Sequence, residues 1–167
     1  KFSLHYSSFM TITMLITIRS CPKTNEISLP FTFTGNTGCT LFTRHISENE
    51  VALNIGSLDG KIATQDGPIL RRSVPTLIVF RVLRKNEMDP SSINGIQIGA
   101  AELGDLQKIP ETRKVLRQST PLALPNLTIN DPLYLRIQSE NMAFDLFWLH
   151  IFDYKVENEL LYREARA

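Results

Sequence analysis

Apolar and polar positions alternate with a period of two near the start of the chain. In the stretch 11–19, Ile12, Met14, Ile16 and Ile18 fall on one side, while Thr11, Thr13, Thr17 and Arg19 fall on the other. A period of two carried by β-branched residues predicts a half-buried β-strand, with the threonine side toward solvent. Residues 2–19 predict either one long strand or two shorter ones bent near Ser7-Ser8. The apolar run inside 9–18 is too short to cross a bilayer as a helix, and threonine interrupts it repeatedly. No small-residue cleavage pattern follows it. A buried strand and no membrane span is the expectation.

The same texture recurs to the C-terminus. Residues 27–34 alternate with Leu29, Phe31 and Phe33 on one face, and strands are expected over 40–46 and 51–57. Asp59-Gly60 is a hairpin signal between Ile55 and Ile62, and Asp66-Gly67-Pro68 is a turn before Ile69-Leu70. The run 75–84 is apolar on both faces, which predicts a central strand. Pro75 sits at its start, where a missing N–H does little harm. Residues 85–94 read as a long polar loop. Residues 93–106 are ambiguous, because Gly95, Gly99 and Gly104 disfavour a full helix while 100–103 suit one turn. Basic strand 112–118, a proline-flanked edge segment 122–129, strand 133–138 and aromatic strand 144–156 complete the pattern. Eight to ten such strands predict an all-β fold, a two-sheet jelly-roll sandwich of about eight antiparallel strands. One domain is expected over 1–156, followed by a polar tail over 157–167.

Composition narrows the partners only slightly. The chain has 167 residues, 43% of them hydrophobic, enough for one real core. Its net charge of +1 points to neither an acidic nor a basic partner. The first residue is Lys1, so a basic arm upstream of it would change that balance. Cys21 and Cys39 are the only cysteines, at a spacing that suits either buried free thiols or a bridge between strands. Asn126-Leu127-Thr128 matches the glycosylation acceptor pattern, which counts only in a secreted protein.

Catalytic motifs are absent from the sequence. His5, His45 and His150 lie far apart, and no nucleophile elbow, phosphate loop or dinucleotide fingerprint occurs. No enzyme, cofactor or metal site is expected. His150, between Leu149 and Ile151, reads as packed or interfacial, and His45 as a surface strand residue. Phe144, Trp148, Phe152 and Tyr154 alternate onto one face of the last strand, with Phe147 and Ile151 on the other. That strand is expected to be buried on both sides, in the core or at a subunit interface.

Basic side chains gather more than the total charge suggests. Arg71, Arg72, Arg84, Lys85, Arg113, Lys114 and Arg117, with Arg81 nearby, are the candidates for nucleic-acid contact, RNA or DNA, because phosphates need only charge and donors. The alternative is a solvated surface paired with Glu87, Glu102 and Glu111.

The order from 75 to 156 resembles single jelly-roll coat proteins of small icosahedral and satellite viruses. An apolar strand ending in Arg84-Lys85 leads to a proline-containing loop and an Ala-Glu-Leu segment. Arg113-Lys114-Val115-Leu116-Arg117, the strand Leu133-Tyr134-Leu135-Arg136-Ile137 and a final aromatic strand follow. The resemblance implies self-assembly into a shell, a place in the virion, and nucleic acid packaged by a basic N-terminal arm. Residues 1–9 depart from that pattern, so such an arm would lie upstream of Lys1. Two alternatives are a secreted trimeric jelly-roll ligand of the tumour-necrosis-factor or C1q kind, favoured by a Cys21–Cys39 bridge, and a glycan-binding β-sandwich adhesin.

Overall fold

The opening stretch divides into two strands, β1 (Phe2–Leu4) and β2 (Phe9–Ser20), which the computed structural model places in different sheets. The structure describes residues 2–4, 9–24, 27–34, 39–57, 67–83, 88, 95–108, 117–118, 122–123, 133–137 and 141–152. The expected Asp59-Gly60 hairpin, the 85–87 and 89–94 parts of the polar loop, Asn126 and the tail 157–167 lie outside them.

The chain continues through β3 (Ile27–Thr34), β4 (Cys39–Ser47), β5 (Glu50–Ser57), β6 (Ile69–Arg71), β7 (Thr76–Leu83) and β8 (Gly95–Glu102). The ambiguous 93–106 segment resolves into β8 and one short helix, α1 (Leu103–Lys108). Then come β9 (Arg117–Gln118), β10 (Leu122–Ala123), β11 (Leu133–Ile137) and β12 (Ala143–Phe152). Twelve strands are thus described where the spacing predicts about eight, and the excess consists of pieces only two or three residues long.

Among the described residues all pairings are antiparallel, in two sheets. The first runs β1-β11-β3-β4-β5-β6; the second runs β10-β8-β7-β2-β12, with β9 also on β8. Ladder β3–β4 slips between Ser28 and Phe31, around Pro30, which has no N–H to donate. The crossing from the first sheet to the second is tied at both ends. Arg72 N–H donates to Asn49 O at 2.7 Å, and Ser73 N–H donates to Ile18 O at 2.8 Å. Ser73 takes a positive φ of 64° to make that corner.

The core lies between the sheets. Ile12, Met14, Ile16 and Ile18 of β2 meet Ile78 and Phe80 of β7, Ile96 and Ile98 of β8, and Val51, Leu53 and Ile55 of β5. Strand β7 is central, as expected, with β2 on one side and β8 on the other. A two-sheet sandwich buries both inner faces, and that burial is the dominant stabilising term.

The threonine side of β2 does not face solvent. Thr11 and Thr13 are fully buried and Thr17 nearly so. A second apolar cluster lies on that same side of the sheet: Leu77 and Val79 of β7, Ala101 of β8 and Leu106 of α1, with Trp148 and Phe152 of β12 packed against it. Burial of this second face is a tertiary property that alternation along β2 cannot reveal. Arg81 is buried on β7 as well, so it belongs to no surface basic cluster.

Burial leaves the hydroxyls of Thr13 and Thr17 without a hydrogen-bond partner. A buried, unbonded hydroxyl costs its desolvation. Thr13→Val keeps the β-branched shape and removes the hydroxyl, so it is expected to stabilise the fold by about 1–2 kcal/mol. A raised urea midpoint at unchanged slope would show this; an unchanged or lowered midpoint would mean that the hydroxyl is satisfied.

Candidate functional site

Two surface features stand out, a cavity between the sheets and an open sheet edge. The cavity, about 380 Å³, lies where Glu50 and Arg71 of the first sheet face Thr76, Ala101 and Glu102 of the second, with Asp105 of α1 at its rim. Arg71 spans it. Its Nε donates to Glu102 Oε1 at 2.5 Å and its Nη2 to Glu102 Oε2 at 2.6 Å, a two-pronged ion pair. The Glu102 hydrogen bond and charge, aided by Asp105 and Glu50, push the Arg71 guanidinium further toward its charged form. Thr76 Oγ1 donates to Val74 O at 3.0 Å, so this hydroxyl is engaged in its own turn. Among the described residues the cavity therefore gathers three carboxylates around one arginine, with no histidine or cysteine in its lining. Among the described residues no group of three His, Cys, Asp or Glu side chains is placed to hold a metal ion.

This arrangement bears on the basic candidates. The fork of Arg71 is filled by Glu102, and the surrounding carboxylates give it an acidic setting that opposes phosphate. Arg72 is exposed beside it. Arg117 begins β9 next to Ala100 of β8. Arg84, Lys85, Arg113 and Lys114 lie outside the described residues, as does Tyr154.

Cys21 is a free thiol, partly buried against the core. Burial pushes its pKa up, and the Arg72 charge pulls in the opposite direction. Removing that charge with Arg72→Gln should raise the pKa further and lower the thiolate fraction, the species that reacts. Alkylation of Cys21 by iodoacetamide, followed by mass spectrometry near pH 8, is expected to slow in R72Q. Equal or faster alkylation would contradict the geometry.

The open edge belongs to β12. Among the described residues this strand has a neighbour on one side only, β2. Asn141, with φ of 58°, turns the chain into it, and Ala143 N–H donates to Ser20 Oγ at 3.0 Å. Arg19 Nε donates to Asp145 Oδ2 at 2.5 Å and ties the same end across the sheet.

Register along β12 corrects the reading by simple alternation. Leu146 pairs with Ile16 but Trp148 pairs with Leu15, so Phe147 is an extra residue in a β-bulge. The bulge exchanges the faces. Phe144 packs on the inner core with Leu149, whereas Trp148 and Phe152 pack on the outer cluster. Phe144 and Trp148 therefore lie on opposite faces. None of the ten strand residues is buried, contrary to a strand covered on both sides, because β12 sits at the sheet edge.

What the edge exposes is apolar. Phe147 is 55% exposed, Ile151 42% and Leu146 39%. His150 is exposed too, not packed in the interior; its ring stacks on Trp148 at 4.7 Å and meets Phe152 edge-on at 6.2 Å. His45, by contrast, is half-buried and its Nδ1 lies 3.0 Å from Pro22 O. The bulge that displaces Phe147 was not legible from spacing, since an added residue leaves the composition of a strand unchanged.

An edge strand carries a row of backbone donors and acceptors ready to pair with another strand. Natural edges are commonly blunted by charge or proline, and β12 has one acidic residue and no proline in its ten residues. Among the described residues no helix is long and apolar enough to cross a membrane. No protein-family model and no curated protein matches the chain, so the functional reading rests on these residues.

Proposed function

We propose that this chain is a non-enzymatic structural protein that assembles with its own copies, a jelly-roll subunit of the viral coat-protein kind. The observation that supports it is the open β12 edge with Leu146, Phe147 and Ile151 exposed along it. Exposed large apolar side chains on an unblunted edge favour protein–protein contact over solvent. Nucleic acid, where packaged, would meet Arg72 and the Arg84, Lys85, Arg113, Lys114 and Arg117 side chains in preference to the neutralised Arg71.

Two other roles have less support. A glycan platform needs an open aromatic face, and here Trp148 is half-buried with the His150 ring stacked on it. A secreted trimeric ligand would gain from a Cys21–Cys39 bridge, and Cys21 is a free thiol.

Sedimentation velocity and negative-stain microscopy across protein concentration and salt test the proposal. Species well above the 19.0 kDa chain mass are expected, growing with concentration. A monomer at every concentration would sink it.

A further inference from the structure

The bulge in β12 dictates how two such edges can meet. When two identical strands pair antiparallel, facing residues must point to the same side of the joint sheet. In an uninterrupted strand this restricts facing residues to positions an even number apart. Phe147 breaks that rule. Leu146 shares the inner face with Leu149 and Ile151, and Asp145 shares the outer face with His150, although each such pair is an odd number apart. Matching faces across the bulge therefore requires an odd offset.

One odd-offset register uses the whole strand. With Leu146 facing Leu149 of a second copy, the pairing is centred on the middle of Ala143–Phe152, and all ten residues overlap. The same register sets Phe144 against Ile151 on the inner face. On the outer face it sets Asp145, the only acidic residue of the strand, against His150, its only histidine. Registers slipped by two residues either way shorten the overlap and lose the match between Asp145 and His150. Length, facing and charge complementarity thus select one arrangement.

We infer that a second copy of this chain adds to the β12 edge antiparallel about a twofold axis, with Leu146 opposite Leu149 and Asp145 opposite His150 of the partner subunit. The inference rests on the self-association reading and names its contact. Asp145 already accepts from Arg19 Nε through Oδ2, so the carboxylate is held in place for a donor arriving from the facing strand. Each pair occurs twice in the dimer, and the second sheets of the two subunits become one continuous sheet.

Cross-linking and charge substitution on the full chain test it together. In a C21S/C39S background, single variants L146C and L149C are mixed and mildly oxidised. Directly facing strand residues have Cα separations of about 4.5–5.5 Å, within disulfide reach. The mixture is expected to give disulfide dimers, and each variant alone should not, because like positions would lie about 10 Å apart along the strand. At the exposed His150 site, H150K places a fixed cation opposite Asp145 and H150E places a like charge there. Sedimentation equilibrium is expected to show several-fold tighter association for H150K and several-fold weaker association for H150E. Association without the mixed disulfide, and with both His150 variants shifting it the same way, overturns this register and leaves self-association standing. A wild-type chain that remains monomeric overturns both.

Discussion

Phe80→Ala is expected to remove about 3–5 kcal/mol of stability. Phe80 is fully buried and is the largest such side chain among the described residues. It stands in the central strand β7 between Ile12 of β2 and Ile98 of β8, and the inner cluster surrounds it from both sheets. Truncation there loses the transfer free energy of the ring and leaves a void that strands held by ladders on both sides cannot close. Domains of this size have about 5–15 kcal/mol to lose. Urea unfolding should show a much lower midpoint at a similar slope, with a fall in melting temperature on the order of 10 °C. Phe80→Leu, which keeps most of the contact, should lose distinctly less. A midpoint within error of wild type for F80A would place Phe80 outside the core.

The second large effect concerns assembly and not folding. Phe147→Asp puts a charge on the most exposed aromatic of β12, at the centre of the open edge. In the proposed assembly that carboxylate enters the contact from both copies and must be desolvated. Central interface positions commonly cost 2 kcal/mol or more when lost, so roughly thirty-fold weaker association is the minimum expected per substituted copy. Folding stability should change by no more than about 0.5 kcal/mol, since the side chain is largely solvent-exposed in the single subunit. Sedimentation equilibrium and urea unfolding on one preparation separate the two. Weakened association with unchanged unfolding supports the edge as the contact, and unchanged association rules it out.

These two positions show how the sequence could and could not be used. Phe80 sits in 75–84, a run apolar on both faces, and such a run has few places to go other than the middle of a sheet. Its central position followed from composition alone. Phe147 sits in an equally apolar run, which on the same logic should also have been covered on both faces. The difference is topological: among the described residues β7 has two neighbouring strands and β12 one. Hydropathy measures the tendency of a strand to be covered, and the neighbour that covers it comes from elsewhere in the chain.

The threonines of β2 show the converse error. Their alternation with isoleucine correctly marks the strand and the inner face. It also suggests that the second face meets water, whereas Thr11, Thr13 and Thr17 are buried on the side where Leu77, Val79, Ala101 and Leu106 cluster. Threonine is ambiguous here, because its methyl group packs well in a sheet while its hydroxyl asks for a partner. Arg71 is ambiguous in another way. Its charge is plain in the sequence, but its availability depended on Glu102, which lies 31 positions away and in the other sheet.

By itself the sequence determined the all-β class, the positions of the long strands other than β8 and the inner face of β2, since each is carried by local period and side-chain shape. Tertiary structure alone decided which strand lies at the edge, which second face is covered, where the bulge exchanges the faces of β12 and which arginine is neutralised. Those depend on pairing between segments distant in the chain, where the free energy of burial is shared among partners that no local window contains.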